Sequence, residues 1–321
     1  MRKHIAVLAV AVALAACDGN PFLVADDGAE TPDPPDPGTG PETTEAGVPV
    51  VLAKNLNSVT YDPVAQTLTV ELSGIDGTPV PVAYARNLAA EAGLPPGYEA
   101  YSIQEDALDR LFVGVARESA DGSVRGVVVS DGGQFNRFFA GGFFERDGGF
   151  SPPAVGAGPG AGQVSYAGSY VGLDNYSGPL PPLPPGTDPA LQMQGPGRVT
   201  GDVFINANFA DMLVNGAVYN RVRLDNAALP ALTDLVLVAT DINTEGGFIG
   251  TVETLDGGNV SEVGTYGGIF GGADAAGLAG VLVIDSFDAD LSQEISETGQ
   301  HVLTQCGKPG EDVTLCAGTA P

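Results

Sequence analysis

The stretch Gly201-Asp202-Val203-Phe204-Ile205-Asn206-Ala207-Asn208-Phe209 places an apolar side chain at every second position, from Val203 through Ile205 and Ala207 to Phe209. Successive side chains of a β-strand point to opposite faces of the sheet, so this row enters a core while the other row faces away from it. The stretch therefore predicts one strand of an antiparallel sheet with a single buried face.

Six further strand-length segments, separated by short turns, surround this stretch. The seven predicted strands are residues 164–173, 198–208, 213–223, 234–241, 246–255, 264–270 and 277–287. Glycines recur inside them, as at Gly168 and Gly267. Interior glycine weakens a flat sheet but permits sharp coiling, so the pattern favours a closed antiparallel barrel over residues 164–290.

A second β-rich region precedes the barrel at residues 48–153, and a glycine- and proline-rich linker at 154–163 separates the two. Residues 58–73 predict a hairpin around Asp62-Pro63, and three more β segments follow at 110–116, 122–129 and 134–146. Residues 87–92 and 103–109 are the only stretches with a brief helical pattern. Asp-Gly pairs begin at Asp76, Asp121, Asp131, Asp147 and Asp256. They are interpreted as turns, because none has the spacing of an EF-hand calcium loop.

The barrel region carries a family resemblance in five glycine-aromatic motifs. They are Gly201 to Phe209, Val214-Asn215-Gly216, Gly247-Phe248-Ile249-Gly250, Gly264 to Ala273 and Ala279-Gly280-Val281. In this order they resemble the barrel domain of the transferrin-binding protein B family, which includes factor H-binding protein and other Gram-negative surface lipoproteins. The resemblance covers residues 164–287. It implies an all-β fold, in which an eight-stranded antiparallel β-barrel filled by its own side chains follows a smaller β-rich, handle-like domain.

The chain also departs from that family. Transferrin-binding protein B has two handle-barrel lobes, and this chain has room for one. The family's Gly-Phe-Tyr-Gly segment is here Gly268-Ile269-Phe270-Gly271. The resemblance implies capture of a host protein or haem and dependence on a surface-translocation protein, but it assigns no ligand-binding residue.

The N-terminus predicts export and lipid attachment. Arg2 and Lys3 precede a short apolar run at 5–13, and Leu14-Ala15-Ala16-Cys17 resembles a bacterial lipobox. Residues 1–16 would then be a signal peptide, and the Cys17 thiol would receive diacylglycerol, with palmitate-like acyl chains holding the protein to a membrane. An ordinary signal peptide followed by a cysteine is the alternative. The apolar run is too short to span a bilayer.

Residues 17–47 predict a flexible stalk. Residues 18–47 hold eight acidic residues, six prolines and no lysine or arginine. Such a segment buries too little apolar surface to offset its ordering entropy, and its like charges extend it. The stalk would hold the folded part away from the membrane.

The tail at residues 291–321 contains Cys306 and Cys316, the two cysteines other than Cys17. In the oxidising environment outside the cytoplasm they are expected to form a disulfide. The rival interpretation is a zinc site that also uses His301, but three ligands without a CxxC spacing do not match known zinc motifs, so no metal is expected.

Charge and motifs exclude several functions. The formal charge of -27 repels nucleic acid. His301, expected at the surface, is the one histidine after Cys17, and no GxSxG or GxxxxGK[ST] motif is present. The chain is therefore predicted to be neither an enzyme nor a cofactor carrier.

The combined prediction is an outer-membrane lipoprotein, lipid-anchored and exposed at the cell surface, that acts as a non-catalytic binding module for a macromolecular or iron- or haem-carrying partner. The alternative is a periplasm-facing structural lipoprotein without a soluble ligand. Ligand contacts are expected in loops such as 176–196, which contain the proline-rich run 178–186. Tyr166, Tyr170 and Tyr176 are either core and rim residues or ligand contacts.

Overall fold

The computed structural model describes residues 43–44, 47–73, 79–106, 108–133, 137–157, 160–177, 185–188, 195–225, 229, 231–256, 259–288 and 293–317. The predicted signal peptide, Cys17 and nearly all of the predicted stalk lie outside these residues. No helix in the described part of the chain has the length and apolarity needed to cross a membrane.

The first domain, called the handle below, is a meander of antiparallel strands. Its described strands form one seven-stranded sheet in sequence order. They are β1 (Leu56–Asp62), β2 (Thr67–Leu72), β3 (Val82–Arg86), β4 (Glu99–Ile103), β5 (Phe112–Glu118), β6 (Val124–Asp131) and β7 (Ala140–Arg146). Two short helices accompany them, α1 (Val50–Ala53) and α2 (Leu88–Glu91). The Asn55 amide donates to the Ala140 carbonyl, so β1 nearly closes on β7.

Two sequence predictions in the handle are confirmed by local hydrogen bonds. The β1–β2 hairpin turns after Asp62, whose carboxylate accepts from the amides of Val64 and Ala65 at 2.9 and 2.8 Å. Helix α2 begins after Asn87, whose side chain caps the first turn. The predicted helix at 103–109 was wrong: Ile103 ends β4, and the described residues after it form bends and turns.

The aspartates of the Asp-Gly pairs have different surroundings. Asp121 lies in the β5–β6 turn, where it accepts hydrogen bonds from Ser119 and Ser123. Gly122 follows with φ +72°, as such a turn requires. Asp131 ends β6, where its carboxylate accepts from the backbone amide of Gly133 at the start of the β6–β7 connection. Unlike Asp121 it is fully buried and forms an ion pair with Arg110.

The second domain is a closed eight-stranded antiparallel barrel, counted over the described residues. Its strands are β8 (Gln163–Ser177), β9 (Pro196–Asn208), β10 (Leu213–Arg223), β11 (Leu235–Asp241), β12 (Gly247–Asp256), β13 (Asn259–Gly271), β14 (Gly277–Asp288) and β15 (Gln293–Thr304). A 3-10 turn (Ala273–Ala275) joins β13 to β14, and α3 (Val313–Cys316) follows β15. The predicted fold class is confirmed.

The barrel ends later in the chain than predicted. Strand β15 lies in the segment 291–321 that was expected to be a tail, and the predicted limit of the barrel at 290 was too early. Its polar composition hid its role, because Glu297, Gln300 and His301 interrupt any apolar alternation. Strand β15 pairs with β14 along its whole length and with β8, where His301 lies opposite Tyr170.

Handle and barrel share one hydrophobic core and fall in one compact unit. Strands β6 and β7 pack against β14 and β15. Gly142 permits the closest approach, since a Cβ at this position would lie 2.3 Å from Val281. Across the same contact, Tyr98 donates to the Ser169 carbonyl at 2.7 Å and the Gln300 amide donates to the Val115 carbonyl at 2.8 Å.

Candidate functional site

One end of the barrel interior, called the aromatic end below, is filled by rings. The Phe270 ring lies 5.1 Å from that of Phe209, 5.4 Å from Phe248 and 5.6 Å from Tyr166, measured between centroids. All four side chains are buried. The Tyr166 hydroxyl donates to the Ala275 carbonyl at 2.6 Å. Rings at these separations gain edge and offset contacts and fill this end of the barrel.

The opposite end, called the charged end below, is filled by polar side chains. Glu297 accepts from the Tyr170 hydroxyl at 2.7 Å and from the Arg221 guanidinium at 2.6 Å. Arg221 also donates to the Thr233 carbonyl, and Arg223 lies 3.5 Å from the Asp174 carboxylate. Each buried charge therefore has an opposite charge beside it, as burial in a barrel demands.

Two glycines make room for this cluster. Gly172 and Gly299 lie opposite each other on β8 and β15. A Cβ at 299 would lie 1.8 Å from the Tyr170 hydroxyl, and one at 172 would lie 2.5 Å from a Glu297 oxygen. Glycine is thus required here because of close packing, in addition to the strand coiling that the sequence suggested.

Around Glu297, the pKa values of Tyr170 and Arg221 are both shifted upward. Burial, followed by the neighbouring Glu297 charge, raises the pKa of Tyr170 well above its usual value. Burial by itself would lower the pKa of Arg221, but the neighbouring Glu297 carboxylate raises it by more. The pKa of Arg221 therefore lies above its usual value. A neutral tyrosine and a charged arginine can support the Glu297 carboxylate, but neither is poised to donate a proton in catalysis.

The structure places His301 inside the barrel, which overturns the expectation of a surface residue. Its side chain is fully buried, and its ring lies over Gly280, where a Cβ would be 2.5 Å from Nε2. Neither ring nitrogen has a hydrogen-bond partner among the described residues. Burial lowers the pKa of His301 to about 3. The imidazole is therefore neutral near pH 7, and no nucleophile or carboxylate of the described chain reaches it.

The sequence-predicted cysteine pair forms a disulfide. Cys306 and Cys316 are linked with a Cα–Cα distance of 5.5 Å, directly after β15. The linked sulfurs are not thiolates, so they do not act as the zinc ligands considered as the alternative. The disulfide borders a groove of about 560 Å³ whose lining includes Phe204, Glu311 and Val313.

A third arginine ties the barrel to the handle. Arg198 pairs with Asp225 at 2.9 Å and donates to the carbonyls of Ala90 and Ala92, both at 2.7 Å. These carbonyls lie in and directly after helix α2. The contact holds the handle helix against the barrel.

The outer surface of the barrel carries a patch of apolar and acidic side chains, called the outer wall patch. It consists of five residues on neighbouring strands: Val236 on β11, Glu253 and Leu255 on β12, and Val260 and Glu262 on β13. Val236 lies opposite Glu253, Glu253 opposite Glu262, and Leu255 opposite Val260. The patch is a candidate contact surface because its apolar side chains are exposed.

The residues that the sequence analysis singled out do not form part of the outer wall patch. Cys17 lies outside the described residues, as does most of the run 178–186, and the side chain of Tyr176 is likewise not described. Tyr166 and Tyr170 are core residues rather than ligand contacts. Sequence reasoning missed Asp174, Arg221 and Glu297. The sequence signal that could have identified them is a charged residue at a strand position that faces the inside of the barrel.

Neither a protein-family model nor a curated protein matches the chain. Solved structures of transferrin-binding protein B do. One is a double mutant from Haemophilus parasuis Hp5, with 14% identity and a TM-score of 0.39, covering 75% of this chain and 41% of that one. Another is isotype 1 from serogroup B Neisseria meningitidis, with 13% identity and a TM-score of 0.35, covering 79% and 42%.

Intact Ap-TbpB, with N and C lobes, matches at 12% identity and a TM-score of 0.35, covering 78% of this chain and 55% of that one. This chain therefore spans between 41% and 55% of the length of the three structures. Similarity at this level says nothing about what this chain binds. The strand topology itself, a closed eight-stranded barrel preceded by a smaller sheet, is the arrangement that the sequence resemblance predicted.

Proposed function

We propose that this chain is a lipid-anchored lipoprotein of the outer membrane that binds a macromolecular partner without catalysis. Cys17 would carry the lipid, the acidic stalk would hold the folded part away from the membrane, and handle and barrel would present the binding surface. The partner would be a protein, including one that carries iron or haem. A surface-translocation protein would bring the chain to the cell exterior.

The observation that supports binding at the surface is the filled interior of the barrel. Rings occupy its aromatic end and ion pairs occupy its charged end, so both ends are committed to internal contacts. A small-molecule carrier instead keeps a concave, mostly apolar pocket for its ligand. A barrel that is filled in this way offers its outer strands and loops to a partner.

The fixed attachment of the handle supports the same function. The shared core and the Arg198 bridge hold handle and barrel together. A preorganised surface that spans two domains loses less conformational entropy on binding than one assembled from moving parts. Handle and barrel would therefore act as one rigid binding body.

Three experiments on the full-length chain test this function. Metabolic labelling with an alkyne-tagged palmitate analogue should label the wild type, and Cys17→Ser should abolish the label. Protease treatment of intact cells should digest the handle and barrel. Protection under conditions that digest known surface proteins would instead support the periplasm-facing alternative. A pull-down from the organism's surroundings, scored by mass spectrometry and haem absorbance, should recover a partner.

A further inference from the structure

The arginines of the barrel are all engaged in contacts within the protein. Between Arg146 and Lys308 the chain has three basic residues, Arg198, Arg221 and Arg223. Each lies next to a carboxylate, at 2.9 Å for Arg198, 2.6 Å for Arg221 and 3.5 Å for Arg223, and all three are at least nine-tenths buried. None of these three arginines is therefore available to balance the carboxylates on the outer face of β12 and β13.

Two of these carboxylates oppose each other. Glu253 on β12 pairs with Glu262 on β13, directly after a register shift between Val252 and Glu253. Directly opposed like charges destabilise an antiparallel pair. Neither carboxylate has a hydrogen bond or ion pair within the described chain. The repulsion therefore has no internal compensation, and an external cation placed between the two would relieve it.

Exposed apolar side chains lie next to this acidic pair, across the strand at Val236 and along the strands at Leu255 and Val260. Val236 lies opposite Glu253 and is 43% exposed, while the pair Leu255 and Val260 is 61% and 62% exposed. Single exposed apolar residues are ordinary, but here they join across three hydrogen-bonded strands. Apolar contacts next to charges are the usual composition of a protein interface with its polar rim.

We infer that the outer wall patch docks a partner protein whose contact surface carries lysine or arginine around an apolar side chain. The inference rests on the proposed binding function and specifies where and what the chain binds. Charge complementarity selects this occupant. A second copy of the chain would bring carboxylate against carboxylate, and anionic lipid or nucleic acid would be repelled by the overall charge of -27.

The test compares two variants with the same change of charge. Glu253→Lys with Glu262→Lys reverses the patch. Glu105→Lys with Asp109→Lys reverses two exposed carboxylates of the handle that lack an ion pair in the described chain. The partner captured by the wild type is purified, and its Kd is measured against the full-length wild type and both variants in detergent micelles.

The patch variant should bind at least about tenfold more weakly, and the handle variant should stay within about twofold of the wild type. Reversing basic residues on the partner's contact surface should restore binding to the patch variant. Leu255→Thr with Val260→Thr should also weaken binding, since it removes the apolar contact while keeping the charge.

The outcomes separate the two proposals. If a partner is captured but both charge variants bind it equally, the patch is not the docking surface and the binding function stands. A contact surface on the partner that lacks cations would also overturn the inference. If the wild type captures no partner, the binding function itself fails, and the docking inference fails with it.

Discussion

The two ends of the barrel interior share strand β8 but are filled by opposite chemistry. Strand β8 contributes Tyr166 to the aromatic end and, four and eight residues later, Tyr170 and Asp174 to the charged end. Apolar packing tolerates exchange between shapes of similar volume, whereas a buried charge depends on one particular partner. The comparison predicts that the charged end is the more sensitive of the two to single substitutions.

The largest effect is expected from Glu297→Ala. It leaves the Arg221 charge buried without its carboxylate and removes the acceptor of the Tyr170 hydroxyl. Breaking such a buried pair typically costs about 3 to 5 kcal/mol of unfolding free energy. Urea denaturation measures the loss.

The control is the double variant Glu297→Leu with Arg221→Met, which removes both charges. It should recover much of the stability, because a buried pair is often replaceable by apolar side chains. Equal destabilisation of single and double variants would show that packing volume, and not charge, holds this end together.

A disulfide bond lies beside the aromatic end, whereas the charged end has none. The disulfide follows β15, and the Cys306 amide donates to the Ser165 carbonyl beside Tyr166. Cys306→Ala with Cys316→Ala should lower the unfolding free energy by roughly 2 to 3 kcal/mol, since the open chain regains loop entropy. Thermal melts of wild type with and without reductant provide the check. If neither the double substitution nor the addition of reductant to the wild type lowers the melting point, the prediction is refuted.

A smaller effect tests the glycine pair of the charged end. Gly299→Ala places a methyl group where the Tyr170 hydroxyl lies, and should cost about 1 to 3 kcal/mol through overpacking. Tyr170→Phe in the same chain relieves part of the clash. The double variant should therefore be more stable than the sum of the single changes implies. Strict additivity in denaturation experiments would contradict the predicted contact.

The smallest effect concerns His301, which lies between the two ends. Its pKa is about 3 in the folded chain against 6.5 in the unfolded one. Between pH 3 and pH 6.5 the unfolded state therefore binds more protons than the folded state. As a result, the free energy of unfolding falls as the pH drops below 6.5. From pH 7.5 to 5.5 the loss is about 1.4 kcal/mol.

His301→Leu should remove this part of the pH dependence, which denaturation curves at the two pH values can measure. The wild type and the variant should differ in the slope of stability against pH, whatever their absolute stabilities. Parallel slopes would show that the imidazole gains a proton without cost in the folded state.

Much of the fold could be predicted from local pattern. Period-2 alternation marked the strand around Ile205, the Asp62-Pro63 turn marked the first hairpin, and a brief helical pattern at 87–92 marked helix α2. Strand β15 could not be predicted in this way, because Glu297 and His301 interrupt its apolar row. Their positions become intelligible only when β8 and β10 supply Tyr170 and Arg221 as neighbours.

The candidate docking surface was equally beyond the sequence. Glu253 and Glu262 are separated by a turn, and nothing local shows that they oppose each other until β12 and β13 pair in register. The sequence did show that cations are scarce between Arg146 and Lys308. It did not show that Arg221 and Arg223 pair with carboxylates inside the barrel, or that Arg198 pairs with Asp225 beside the handle.

By itself the sequence determined the β class, the barrel with its preceding handle, and a strongly acidic chain, because side-chain period, turn residues and charge are local properties. Only the tertiary structure decided which charges are buried, which strand closes the barrel and which carboxylates remain unpaired. These depend on the register between distant strands, and a shift of one residue would exchange the inside and outside of every strand.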